Sequence, residues 1–300
     1  MMLNFFRAIP FPSWLSDTLF TLGPLSVKWY GIAYIVGLFG AYFYARRTSA
    51  NKTIWQAAGA KKNGLIPNKR MLEDFMFFCL IGIIVGGRIG FIILYDLGNY
   101  ISDPIRIFKV WQGGMSFHGG FLGVVVATIY MARSRKIPLM RMADLAAISA
   151  PIGIGLVRLA NFVNQELYGR VTDVPWAFIF KGNWEARHPS QLYEAFLEGV
   201  VIFCVLWLAT RKFKILTKPG IATGLFLVMY GLFRFLVEFV REPDVGREQF
   251  GLLTRGQAYS LPMLIIGILV VVWAMKRSAL APEWPQEDIK QEEKKADADA

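Results

Sequence analysis

The chain has 300 residues, 55% of them apolar and 18% charged, and a formal net charge of +11. Soluble domains carry about a quarter charged residues, and several apolar runs here approach the roughly 20 residues that cross a bilayer, which excludes a water-soluble globular domain. The bases sit in short loops between apolar runs, as the positive-inside rule expects, and this distribution excludes nucleic acid as the partner.

Residues 1–26 are aromatic and proline-containing (Pro10, Pro12, Trp14, Pro24), without the apolar core and small-residue cleavage site of a leader. They are predicted to lie on the membrane surface. Residues 27–277 form one domain of seven predicted spans, at about 27–45, 72–94, 117–131, 142–160, 195–210, 221–240 and 259–275. Arg46 and Arg47 close the first span, and Lys52, Lys61, Lys62, Lys69 and Arg70 place the next loop in the cytoplasm.

The second span carries Gly82, Gly86 and Gly90, a close-packing face. It also carries Arg88, which either snorkels to the interface or lines a site. Cys79 and Cys204 lie inside apolar spans and read as small core residues, not a disulfide pair. Residues 95–116 form an outer loop. His118 opens the third span within Ser116-Phe117-His118-Gly119-Gly120, whose glycines allow another chain or a ligand to approach closely. Arg133, Arg135, Lys136 and Arg141 return the chain to the cytoplasm.

Pro151, Gly153 and Gly155 in the fourth span are expected to kink the helix ahead of Arg158. An arginine this deep in an apolar run faces the protein interior or a wet cavity. Its guanidinium suits a phosphate, although a buried Arg–Glu pair that only joins helices would look the same. Residues 161–193 form a small outer head with Trp176, Trp184 and His188-Pro189-Ser190-Gln191-Leu192-Tyr193-Glu194. In the sixth span Tyr230, Arg234, Glu238 and Arg241 fall on one helical face. Residues 242–257 are an outer loop of mixed charge, and residues 278–300 a disordered cytoplasmic tail.

The fold class expected is an all-α polytopic membrane protein, N-terminus outside and C-terminus cytoplasmic. That topology brings Tyr30, Arg88, His118, Arg158, Asn161, Glu166, Tyr230, Arg234 and Glu238 to one level at the outer leaflet. Arginines, tyrosines and a histidine without a metal-ligand spacing or a nucleophile elbow suit turnover of an anionic phospholipid headgroup, with no metal and no cofactor. Arginines would stabilise a departing phosphate, and a histidine could take a proton from the nucleophile.

The run Gly155-Leu156-Val157-Arg158-Leu159-Ala160-Asn161-Phe162-Val163-Asn164-Gln165-Glu166-Leu167-Tyr168-Gly169 resembles the signature of bacterial prolipoprotein diacylglyceryl transferases, Gly-Arg-x-Gly/Ala-Asn-Phe-x-Asn-x-Glu-x-x-Gly. Val157 departs from it, standing where the family usually has glycine. Trp29-Tyr30-Gly31, Gly87-Arg88, His118-Gly119-Gly120, the His188 run and Tyr230-Gly231-x-x-Arg234-x-x-x-Glu238 extend the likeness over nearly all of residues 20–277.

The resemblance implies seven helices with a periplasmic head, in the bacterial inner membrane with the active site toward the periplasm. It also implies transfer of diacylglyceryl from phosphatidylglycerol to the lipobox cysteine of a prolipoprotein signal peptide, forming a thioether and releasing glycerol 1-phosphate. It marks Tyr30, His118, Arg158, Asn161, Glu166, Gly169, Tyr230 and Arg234 as important for activity. Within that frame Arg158 and Arg234 hold the phosphate, Asn161 and Glu166 orient the headgroup or Arg158, His118 is the base, and Tyr230 is an acid or orienter. Arg88, Gly169, Glu238 and Tyr30 complete the expected substrate site. Loss of either arginine is expected to abolish transfer and leave the chain, taken as a monomer, folded. The competing readings are a transporter or a non-catalytic lipid-binding scaffold, and a phospholipid hydrolase.

Overall fold

The computed structural model describes residues 8–23, 25–57, 60–109, 113–242 and 253–283. Parts of the expected surface segment (1–7 and Pro24), of the 242–257 loop (243–252) and of the tail (284–300) lie outside the described residues. The long helices are α1 (Trp29–Ala50), α2 (Lys69–Tyr95), α4 (Phe117–Ser134), α5 (Leu139–Val163), α8 (Ile221–Val237) and α9 (Arg255–Met275), with a short α3 (Leu97–Ser102) after α2. The remaining one is composite. α6 (Ser190–Glu194) runs through a wider π turn (Ala195–Val201) into α7 (Ile202–Lys212).

Among the described residues four helices are long and apolar enough to cross a membrane: Lys69–Tyr95, Leu139–Val163, Ser190–Lys212 and Arg255–Met275. Ile221–Val237 is apolar but shorter. The tyrosine-rich α1 and α4, which carries His118 and Arg133, fall outside that set. The chain is therefore a mostly helical membrane protein.

It is not purely helical. β1 (Ile9–Pro10) pairs parallel with β5 (Phe178–Ile179), β2 (Thr18–Leu22) forms a hairpin with β3 (Leu25–Lys28), and β4 (Lys61–Leu65) pairs parallel with β6 (Leu280–Glu283). These strands add to one expectation and correct another. The surface segment is stitched to the head, where Phe11 packs on Phe162 and Phe180 at ring-centroid distances of 5.4 and 5.9 Å. And Leu280–Glu283, at the start of the tail expected to be disordered, is a strand, because β4 offers its backbone a partner. In the hairpin Lys28 lies 3.0 Å from Asp17 and holds that carboxyl below its usual value.

Backbone contact through glycine joins α2 to α4. A Cβ on Gly82 would lie 2.6 Å from the Gly123 carbonyl oxygen, and one on Gly90 2.7 Å from Gly119 Cα. The glycine face of α2 thus meets the glycines after His118, and what approaches those glycines is α2. α5 runs unbroken across Pro151 and packs against α1, α4, the composite helix and α8. Its N-terminal end is tied to α8 by Asp144, whose buried carboxylate accepts from Gly220 N (2.7 Å), Thr223 N (2.8 Å) and Thr223 Oγ1 (2.6 Å). These are N-terminal donors of α8 that the helix itself leaves unused. Gly220 holds φ +106°, so the turn into α8 requires glycine. The largest core cluster, including Trp55, Leu145, Ile148, Ile202, Leu206 and Ala222, joins α5, α7, α8 and the loop after α1.

Gly82→Ala should lower stability by about 1–3 kcal/mol, the cost of forcing atoms into a packed contact. Gly98→Ala, with nothing within 4 Å of its added carbon, should not. Thermal unfolding in detergent micelles measures both.

Candidate active site

Where the composite helix crosses α5 and α8, five charged side chains interlock. Arg158 reaches from α5, and its Nε and Nη2 each donate to Glu198 Oε2 at 3.1 Å. Its Nη1 lies 3.2 Å from Glu194 Oε2. The other oxygen of Glu194 accepts from Arg234 Nη1 of α8. Arg234 Nη2 lies 3.0 Å from Glu238 Oε2, one turn on along α8, and Glu238 Oε1 accepts from the Thr254 hydroxyl at 3.0 Å. Thr254 also caps α9. A Cβ on Gly256 would fall on the Glu238 carboxylate and displace it.

Glu194 and Glu198 are fully buried, whereas Arg158 and Arg234 keep 15% and 14% of their side chains exposed. The network therefore reaches the protein surface through its arginines. Arg241 lies within electrostatic reach of Glu194 and Glu238 and offsets the third carboxylate. Tyr230, one turn before Arg234, is buried against Phe226 and within reach of all four charges of Arg158, Arg234, Glu194 and Glu198.

Beside it lies a second cluster. Asn161, one turn after Arg158 and buried, donates through Nδ2 to Glu166 Oε1 (2.8 Å) and to the Tyr30 hydroxyl. Tyr30 stacks on Tyr34 at 5.7 Å, and Tyr34 stands within reach of both Glu166 and Arg158. The sharp turn that returns Glu166 to Asn161 holds Gln165 and Leu167 at φ 57°. It is fastened by Gln191 Nε2 on the Glu166 carbonyl (2.6 Å) and Ser190 Oγ on the Leu167 carbonyl (3.0 Å). The buried Ser190 and Gln191 thus connect the head to the start of α6.

Three expected residues stand apart. His118 is exposed at the first turn of α4, its ring edge-on to Tyr259 of α9 at 5.8 Å, one turn along α9 from Gly256. Arg88 is buried, and its guanidinium donates to the carbonyls of Arg106, Ile107, Lys109, Gly113 and Gly114. Its partners are not those of the ion network; it fastens the loop between α2 and α4. Gly169 is a packing position, where a Cβ would lie 2.5 Å from the Val240 carbonyl oxygen and 2.6 Å from His188 Cβ. Its amide donates to the His188 carbonyl at 2.8 Å.

Glu194 and Glu198 were not among the expected site residues. Their signal was present: two carboxylates four apart at the start of an apolar span, where any ionisable group marks a function. The π turn that holds Glu198 is itself a feature common at functional sites. In the head, Trp176 Nε1 donates to the Tyr193 hydroxyl (2.7 Å), which lies 3.1 Å from His188 Nδ1. Burial pushes the His188 imidazole below its usual value.

Comparison with known proteins identifies the family. Residues 17–273 match the family model for prolipoprotein diacylglyceryl transferase. Three relatives carry the name phosphatidylglycerol–prolipoprotein diacylglyceryl transferase. The protein of Rhizobium meliloti is 45% identical over 278 residues, 91% of this chain and 96% of that one. That of Geobacter sulfurreducens is 47% identical over 268 residues, 88% and 96% of the two chains. That of Vibrio atlanticus is 45% identical over 282 residues, 93% and 97%. The chain belongs to the prolipoprotein diacylglyceryl transferase family.

Arg158→Ala would leave Glu198 and one oxygen of Glu194 buried without a counter-charge, at a cost of about 3–5 kcal/mol. The arginine therefore supports the fold as well as the site. Adding Glu198→Gln should recover part of that stability in thermal unfolding, with no recovery of activity.

Proposed function

We propose that this chain transfers the diacylglyceryl group of phosphatidylglycerol to the thiol of a lipobox cysteine in a prolipoprotein. Family membership along nearly the whole chain supports the reaction. The observation that carries the site assignment is the convergence of Arg158 and Arg234, from separate helices, on the two oxygens of one carboxylate. Two guanidiniums that grip one anion between them, partly open to the outside, can grip a phosphate in the same way.

The cysteine sulfur attacks the glyceryl carbon that bears the phosphate ester. A carbon–sulfur bond forms, the carbon–oxygen bond breaks, and glycerol 1-phosphate leaves with the bonding pair. Arg158 and Arg234 stabilise the charge that grows on the leaving phosphate. His118 takes the thiol proton. Asn161, Glu166 and Tyr30 orient the headgroup beside Arg158, Tyr230 holds the polar centre against the apolar core, and Glu238 steadies Arg234. Arg88 and Gly169 serve the site by fixing the outer loop and the head.

The protein lies in the bacterial inner membrane as seven spans, N-terminus outside and C-terminus in the cytoplasm, with the head between spans four and five on the periplasmic side. The basic loops after the first, third and fifth spans support this orientation. It works as a monomer.

Purified protein mixed with phosphatidylglycerol and a lipobox peptide should add one diacylglyceryl mass to the peptide, and none to a Cys→Ser peptide. Lipid consumption without a peptide product would instead mark a hydrolase, and binding without turnover a scaffold or transporter. His118→Gln should slow transfer by about 10²–10⁴-fold, the range of general base catalysis. Near-normal turnover in that variant would assign the proton to another group.

A further inference from the structure

Glu194 is the carboxylate that touches both arginines, with one oxygen on each. Glu198 pairs with Arg158 and Glu238 with Arg234, each on another part of the guanidinium. Glu194 is fully buried and lies on the protein side of the pair, at the end of α6 and the mouth of the π turn. A phosphate gripped by both guanidiniums would share them with Glu194.

On the reading that the arginines hold phosphate, we propose that Glu194 is an internal competitor for that phosphate. It keeps Arg158 and Arg234 charged, paired and aimed at one point when the site is empty. It shares them when phosphatidylglycerol arrives, and it takes them back as the glycerol phosphate departs. The leaving phosphate of this reaction carries more negative charge than the diester it came from, so two unopposed arginines would hold product more tightly than substrate. A resident carboxylate lowers affinity for both and prevents the product from occupying the site. Glu194 is thus a positioning residue that acts through the arginines and sets the release of the phosphate product. Glu198 and Glu238 hold the outer edges of the same arginines and fix their direction.

The test is inhibition of transfer by added glycerol 1-phosphate, with inorganic phosphate as a second probe. Glu194→Gln should be inhibited about 10–100-fold more tightly than the wild type, the worth of a hydrogen bond to a charged group, with a lower kcat and a lower KM for phosphatidylglycerol. Glu194→Asp, one carbon shorter and unable to span both arginines, should fall between the two and serves if the glutamine variant does not fold. Glu198→Gln, which removes the same charge from a non-bridging place, should shift inhibition less.

If Glu194 only supports the fold, its loss slackens both arginines, and phosphate inhibits the variants no more tightly, or less tightly, than the wild type. That result overturns the competitor role while leaving the clamp intact. If neither probe inhibits the wild type and Arg158→Lys binds phosphatidylglycerol as before, the clamp itself falls, and the competitor role with it.

Discussion

Charge buried among apolar helices is tolerated only when it is matched, and the rest of this molecule answers that constraint. A lone guanidinium or carboxylate at the position of Arg158 or Glu198 would cost several kcal/mol in a low-dielectric surrounding. The chain resolves this by bringing three helices to one crossing so that each charge meets its opposite. The arrangement is expensive as a device for stability alone, since apolar side chains of similar size would serve as well. Its justification is chemical: it keeps two guanidiniums charged, rigid and partly exposed at one point.

The surrounding architecture sets where that crossing lies. Asp144 ties the N-terminal end of α5 to α8, so the helices that present Arg158 and Arg234 share a fixed origin. Gly155 and Gly199 meet backbone to backbone, the added carbon of Gly199 falling 2.7 Å from Gly155 Cα, and this lets the carboxylates of the composite helix come close enough to bond. The head contributes from the other side through Ser190 and Gln191, which fasten the Glu166 turn. Small residues thus decide approach, and polar ones decide register.

Much of this was legible in the amino-acid order, and the remainder failed for identifiable reasons. Apolar run length located each long helix to within a few residues, because membrane thickness sets that length. The four-residue glycine spacing in α2 foretold a close interface, and Arg158, Asn161, Glu166, Tyr230, Arg234 and Glu238 do gather. What could not be read was which polar residue bonds to which. Arg88 and Arg158 look alike in sequence, yet one binds loop carbonyls and the other carboxylates. Gly169 sat in the motif but acts by absence of a side chain. Glu194 and Glu198 are anions, so the cationic pattern of a phosphate site does not include them, although buried cations require them. The short parallel strands join segments far apart in sequence, and nothing local announces such pairs.

The pairing of β4 with β6 has a consequence for the birth of the molecule. β4 lies in the loop between α1 and α2, and β6 follows α9, so the two strands come from opposite ends of the chain. Synthesis delivers β4 early and leaves its backbone waiting until nearly the last described residue emerges. Each intermediate helix must enter the bilayer while that edge is unpaired. The strand pair therefore closes a loop of more than two hundred residues late in synthesis, and a chain interrupted before β6 leaves β4 without this partner.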